Sequence, residues 1–127
     1  VLSDFGYELV DRISELRYLP LTDLDLAMGV TAALIDYEPA TMVRLGSRAE
    51  RIDLIVNRDH HHVGIECRVT GSTQSVQRQL VKYAKTGRVS EIILVTTKNS
   101  HVRDFSGWTL TGKRTPVPVE VVRARHL

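Results

Sequence analysis

Cysteine and tryptophan each occur once in 127 residues, methionine twice, and aromatics make up only 6% of the chain. A lone Cys67 cannot close an intrachain disulfide, which points to a reducing compartment and a cytoplasmic location. No apolar run approaches the length that crosses a bilayer, and the opening Val1-Leu2-Ser3-Asp4-Phe5 lacks the basic and apolar regions of a secretory signal. Repeats, low-complexity tracts and long linkers are missing too. With 43% hydrophobic and 25% charged residues, one domain over residues 1–127 is expected, its core built from Val, Leu, Ile and Ala.

The formal charge of +2 conceals an uneven distribution. Residues 1–40 carry eight acids against Arg12 and Arg17, a balance of −6, which leaves +8 on residues 41–127. A basic C-terminal two-thirds suits a phosphate-binding surface, and equally a solvated surface whose charges balance in three dimensions.

Periodicity divides the chain into a helical part over 1–38, a core region over 40–97, and a loop with a last strand over 98–127. From Phe5 to Tyr18, Leu9, Val10, Ile13 and Leu16 recur at helical spacing, with Asp4 as N-cap and Pro20 as the stop. Thr22 caps a second helix that Pro39 ends. The period then becomes that of strands: Thr41–Leu45, a turn at Gly46-Ser47-Arg48, Arg51–Asn57, a polar hairpin, and His62–Val69. Ser75 or Thr73 caps a helix reaching about Lys85, with Gly87 as its stop. Glu91–Thr97 reads as a strand buried on both faces, Asn99–Gly112 as irregular or a short helix around Trp108, and Val117–Ala124 as a last strand, with Pro118 at an edge or at its start.

Strand alternation places Asp53 with Ile55 on one face and Ile52, Leu54 and Val56 on the other; on the next strand Glu66 and Arg68 share a face, opposite Ile65, Cys67 and Val69. With the apolar sets turned to the core, Asp53 and Glu66 become neighbours on the other face. Two carboxylates there repel unless a cation sits between them, and hard oxygen ligands suit Mg2+ or Mn2+. The competing account is a structural salt-bridge cluster on an exposed sheet face.

Asp53, then Glu66-Cys67-Arg68 on a hairpin, then Gln79-Leu80-Val81-Lys82-Tyr83 on the next helix resemble the D…(D/E)xK and QxxxY pattern of the PD-(D/E)XK nuclease superfamily, in particular its RecB-like members. The short chain is also similar to the minimal core of archaeal Holliday junction resolvases and phage endonucleases. The resemblance covers roughly residues 40–97. It implies an α/β fold of restriction-endonuclease-like type: a mixed sheet with an antiparallel βββ meander followed by αβ(β), flanked by N-terminal helices. It also implies metal-dependent hydrolysis of DNA, a metal held by Asp53, Glu66 and the Cys67 main-chain carbonyl, and Gln79 and Tyr83 orienting that site or touching the backbone of the nucleic acid. The resemblance further implies that Ser72, Thr73, Gln74, Arg78 and Lys85 would contact the nucleic acid.

Two positions depart from the pattern. Ile52 stands where the signature has proline, and Arg68 where it has lysine. A guanidinium stabilises charge on a phosphorane but cannot act as a general base, so Lys82 is the candidate to replace it. Glu8, Glu15, Asp23 or Asp25 would add an acid from the helical part. A homodimer is expected, because one minimal core covers little of a duplex, with the N-terminal helices either forming the contact or capping the sheet.

Other features take plainer readings. Adjacent His60, His61 and His62 splay to different sides and suit a solvated loop better than zinc. Cys67 and Trp108 read as core side chains. Lys113, Arg114, Arg123, Arg125 and His126 either track phosphate or solvate an edge strand. The alternative to an enzyme is a degenerate nuclease-like domain that binds nucleic acid or a protein without cleaving.

Overall fold

Ser3 opens the first helix, α1 (Asp4–Glu15): its hydroxyl accepts the Gly6 N–H at 3.0 Å, and its own N–H and hydroxyl donate to the Glu91 carboxylate at 3.1 and 2.7 Å. Asp4, expected as the cap, is instead the first helical residue. The structure, a computed structural model, describes residues 1–15, 17–19, 22–46 and 51–126. Leu16, Pro20 and the turn residues Ser47 and Arg48 lie outside these.

The helix expected to run to Tyr18 ends at Glu15, and β1 (Arg17–Tyr18) pairs in parallel with β8 (Arg125–His126). Burial of the Tyr18 ring, whose hydroxyl donates to the Ile13 carbonyl at 3.0 Å, draws the chain inward and out of the helical path. Thr22 caps α2 (Asp23–Ala33) as expected, with a reciprocal capping box to Asp25. A 3-10 turn (Ile35–Tyr37) and a left-handed Glu38 then lead into β2 (Ala40–Arg44).

The remaining elements are β3 (Arg51–Arg58), β4 (His61–Arg68), α3 (Thr73–Lys85), β5 (Glu91–Thr96), α4 (Asn99–Phe105), β6 (Thr109–Leu110) and β7 (Val117–Arg123). They build a six-stranded sheet in the order β2-β3-β4-β5-β7-β6. β2, β3 and β4 form the antiparallel meander; β4–β5 and β5–β7 are parallel, and the short β6 closes the far edge antiparallel to β7. The expected mixed α/β sheet is therefore present. The short helix of the 99–112 segment precedes Trp108, whose indole packs edge-on against Phe105. Pro118 sits near the start of β7, where only the two residues of β6 pair beside it.

Both faces of the sheet are covered. On one, α1 and α2 pack Leu9, Ile13, Leu26 and Val30 against Leu54, Val56, Ile65, Cys67 and Val95. On the other, α3 and α4 pack Val76, Leu80, Tyr83 and Phe105 against Ile52, Ile55, Ile92 and Leu94. β5, buried at every position, runs between the two layers as its unbroken apolar sequence requires. Gly64 lets β4 lie close beneath them, since a Cβ there would come within 2.6 Å of Ile52 Cδ1 and 2.9 Å of Val89 Cγ1. No helix among the described residues is long and apolar enough to cross a membrane.

Candidate functional site

The β3–β4 ladder runs from Arg58–His61 to Leu54–Ile65 and stops there. One step on, at the level of Asp53 and Glu66, a side chain takes over the main chain's part: Asp53 Oδ2 accepts the Cys67 N–H at 2.8 Å. The ladder between β2 and β3 skips the same level. Thr41–Leu54 and Val43–Ile52 pair on either side, while Met42 between them has a φ of 50°. A left-handed residue turns the pleat locally. Ile52 joins the α3–α4 layer while Leu54 and Val56 join the α1–α2 layer, so the common face expected for these three from strict alternation does not exist.

Asp53 and Glu66 nevertheless converge, their carboxyls within hydrogen-bonding reach of each other. Their setting is not the open face expected. Helix α3 covers it, and Glu66 is only 1% exposed. Arg68 Nη2 pairs with Glu66 Oε2, and Arg68 Nη1 lies 3.4 Å from Asp23 Oδ2. Tyr83, brought over Glu66 by α3, accepts a hydrogen bond from Gln79 Nε2 at 2.7 Å; its single proton faces the Arg51 carbonyl at 2.8 Å and Glu66 Oε2 at 3.2 Å. Glu66 Oε1 is buried without a hydrogen-bond partner.

Electrostatics follow from this enclosure. Loss of hydration, then the charge of Asp53, push the Glu66 carboxyl up to about 8, against the pull of Arg68. Asp53 is also raised, chiefly by burial, with the Cys67 N–H and Arg68 opposing. Burial works against the charge of Arg68, but Glu66, Asp23 and Asp53 more than offset it. Near neutrality the pair therefore holds a proton, and the buried, unpartnered Glu66 Oε1 is a position that either a proton or a cation can satisfy.

Of the four candidate acids Glu8, Glu15, Asp23 and Asp25, Asp23 is the one that bonds this cluster among the described residues. Its Oδ1 accepts the Val69 and Thr70 N–H groups at 2.6 and 3.3 Å, fastening the end of β4 to the first turn of α2. Glu8 bonds Tyr37, Glu15 pairs with Arg12, and Asp25 closes its capping box. The sequence signal for Asp23 was its place beside the Thr22 cap; which β-strand that helix end would meet was not encoded locally. His101 supports the same region, its ring bridging Thr96 Oγ1 at 2.9 Å and the Gly71 carbonyl at 3.0 Å.

The other candidate residues fall as follows. The Cys67 side chain is buried in the α1–α2 layer, and burial together with the Asp53 and Glu66 charges raises its thiol well above the ordinary range, so only its main chain touches the site. Ser72, rather than Thr73 or Ser75 as expected, caps α3 by accepting the Ser75 N–H, and the Thr73 hydroxyl donates to Asp104 at 2.8 Å, so neither Ser72 nor Thr73 bonds the carboxylate cluster directly. Gln74, Arg78, Lys82 and Lys85 lie exposed along one side of α3, away from the face carrying Gln79 and Tyr83. Among the described residues, no three His, Cys, Asp or Glu side chains form a ready metal cage.

Removing the Tyr83 hydroxyl leaves the Arg51 carbonyl and the Gln79 amide short of a partner in a buried place. Tyr83→Phe should therefore destabilise the fold by about 1–3 kcal/mol in urea unfolding. An unchanged midpoint would mean that water replaces these bonds without cost.

Comparison with family models, with curated proteins and with solved structures finds no match for this chain.

Proposed function

We propose that this protein is a metal-dependent nuclease that hydrolyses phosphodiester bonds in DNA, built on a restriction-endonuclease-like core of the PD-(D/E)XK kind. The observation that carries the reading is the convergence of Asp53 and Glu66 across β3 and β4, with a buried Glu66 oxygen left unpartnered. Structural ion-pair clusters generally satisfy their buried oxygens; this one leaves Glu66 Oε1 without a hydrogen-bond partner beside a second acid.

Asp53 and Glu66, with the Cys67 carbonyl, would hold Mg2+ or Mn2+, and two carboxylates suit a hard cation that keeps several waters. When bound, the metal supplies an activated water and polarises the scissile phosphate. The chain's own groups do the rest. Tyr83, held by Gln79, fixes the Glu66 carboxylate in place. Arg68, partly exposed beside Glu66 and Asp23, offers a guanidinium to a phosphate oxygen. The exposed basic side of α3, with Arg78 and Lys85, tracks the backbone. A cytoplasmic location belongs to the same reading. So does a homodimer, supported by the exposed Leu24, Met28 and Ile35 along α2 and the turn after it. The test is cleavage of labelled linear and branched DNA with Mn2+ and with EDTA; no cleavage of either substrate under any divalent metal overturns the enzyme.

One observation favours the degenerate alternative. Arg68, in the lysine position, is held between Glu66 and Asp23 and cannot accept a proton from water. If turnover was lost with the lysine, Arg68→Lys should create metal-dependent cleavage absent from the native chain. If the native chain is active, the same substitution should alter its rate by less than about tenfold.

A further inference from the structure

Two features that the nuclease reading does not use, two of the three consecutive histidines and the basic Lys113-Arg114 pair, meet in space. The β3–β4 hairpin carries His60 and His62, and the segment between β6 and β7 carries Lys113 and Arg114. Both line a cavity of about 390 Å3, together with Ala84, Val89 and Val117. It lies at the opposite end of β4 from Glu66, four residues or about 13 Å of strand away from His62.

The lining is one-sided in charge. It holds no Asp or Glu, and neither Lys113 nor Arg114 has a carboxylate partner among the described residues. The Lys113 stem passes over Gly87, where an added Cβ would come within 3.1 Å of Lys113 Cδ, which brings this exposed cation to the cavity. His62 is oriented as well: its Nδ1 lies 2.7 Å from Asn57 Oδ1, which accepts, leaving Nε2 for a ligand. Its main chain is tied to Ser90, whose hydroxyl accepts the His62 N–H at 2.9 Å. Cations gathered at a cavity that buried Ala84, Val89 and Val117 also line make a receptor for a small molecule with one anionic end and one less polar body.

We propose that this cavity binds a terminal phosphate on a nucleotide-sized body, with Lys113 and Arg114 on the phosphate and the apolar lining against the remainder. The terminal phosphate can belong to a free mononucleotide or to the end of an oligonucleotide. The site is separate from the carboxylate cluster and stands whether or not that cluster cleaves DNA.

The test is calorimetric titration of the full chain in EDTA, which keeps metal out of the Asp53–Glu66 site. The probes are deoxynucleoside 5′-monophosphates, the matching nucleosides, and a short oligonucleotide with and without a 5′-phosphate. The monophosphate should bind saturably and at least about tenfold more tightly than the nucleoside. Lys113→Ala with Arg114→Ala should weaken it by at least about tenfold, and Glu66→Gln should leave it unchanged. Competition by the 5′-phosphorylated oligonucleotide alone assigns the phosphate to a chain end; its failure to compete assigns it to the free nucleotide.

Absence of saturation up to about 10 mM monophosphate overturns the proposal. So does a double variant that melts at lower temperature but binds as well as the native chain, because Lys113 is then only a counter-charge to the carbonyl end of α3. Loss of binding in Glu66→Gln would place the phosphate at the carboxylate cluster instead.

Discussion

Replacing Glu66 by Gln or Asp53 by Asn should lower metal-dependent DNA cleavage by at least about a hundredfold while the protein stays folded. Both substitutions keep the shape of the side chain and remove the charge that a divalent ion needs. The Asn at 53 can still accept the Cys67 N–H through its amide oxygen, so the strand ends should hold together. The Gln at 66 keeps an acceptor for Tyr83 and Arg68. Loss of activity is therefore expected to coincide with loss of Mn2+ binding, followed by the paramagnetic signal of the ion, rather than with unfolding. A Glu66→Gln protein that cleaves at the native rate would remove this carboxylate from the chemistry, and with it the metal site.

The second large effect is on stability against pH. Glu66 titrates near 4.5 in an unfolded chain and at about 8 in the folded one, so the folded state holds its proton longer. Stabilisation from that proton is complete below the unfolded value and disappears as pH rises through the folded one. The metal-free protein should thus lose about 2 kcal/mol between pH 6.5 and about pH 8.5, which is several degrees in melting temperature. Asp53, also raised, acts with the same sign at lower pH. His101, buried and lowered from 6.5, opposes it only at acidic pH, where an unfolded chain takes up a proton that the folded one refuses. The window above pH 6.5 therefore belongs to Glu66.

Glu66→Gln should flatten that profile, and Mn2+ should raise the melting temperature more at pH 8 than at pH 6, since the metal competes with the proton for the same oxygens. A native profile that is flat over this window, or a slope that survives in Glu66→Gln, would show that the carboxyl is hydrated and ionised rather than enclosed.

Of the two tests, only cleavage separates the enzyme from its degenerate alternative. Burial of Glu66 beside Asp53 produces the pH profile in either case, whereas turnover depends on what Arg68 allows. Held between Glu66 and Asp23, the guanidinium is both a counter-charge and a competitor for the metal's place.

Local sequence patterns carried much of the architecture. The Thr22 capping box, the hairpin between β3 and β4 and the unbroken apolar β5 are each dictated by near neighbours, and each is where the residues indicated; the cap of α3 fell on Ser72, one residue before the earlier of the two expected positions. The pairing of Asp53 with Glu66 was legible for the same reason: one hairpin sets the register, and the spacing of the two acids does the rest. The alternation rule failed at Ile52, which joins the α3–α4 layer while Leu54 joins the other; at the same level the paired β2 has a positive φ at Met42, with no glycine or asparagine to announce it.

By itself, then, the order of residues determined the elements, the register of the hairpin and the identity of the acids that meet there, because these depend on contacts between chain neighbours. Only tertiary structure decided that α3 would bury Glu66, that Asp23, of the four candidate acids, would reach Arg68, and that Lys113 would come to rest beside Gly87 and the histidine hairpin. Those outcomes depend on how two helical layers close over a sheet. That closure joins residues 30 to 50 positions apart, and no local preference specifies it.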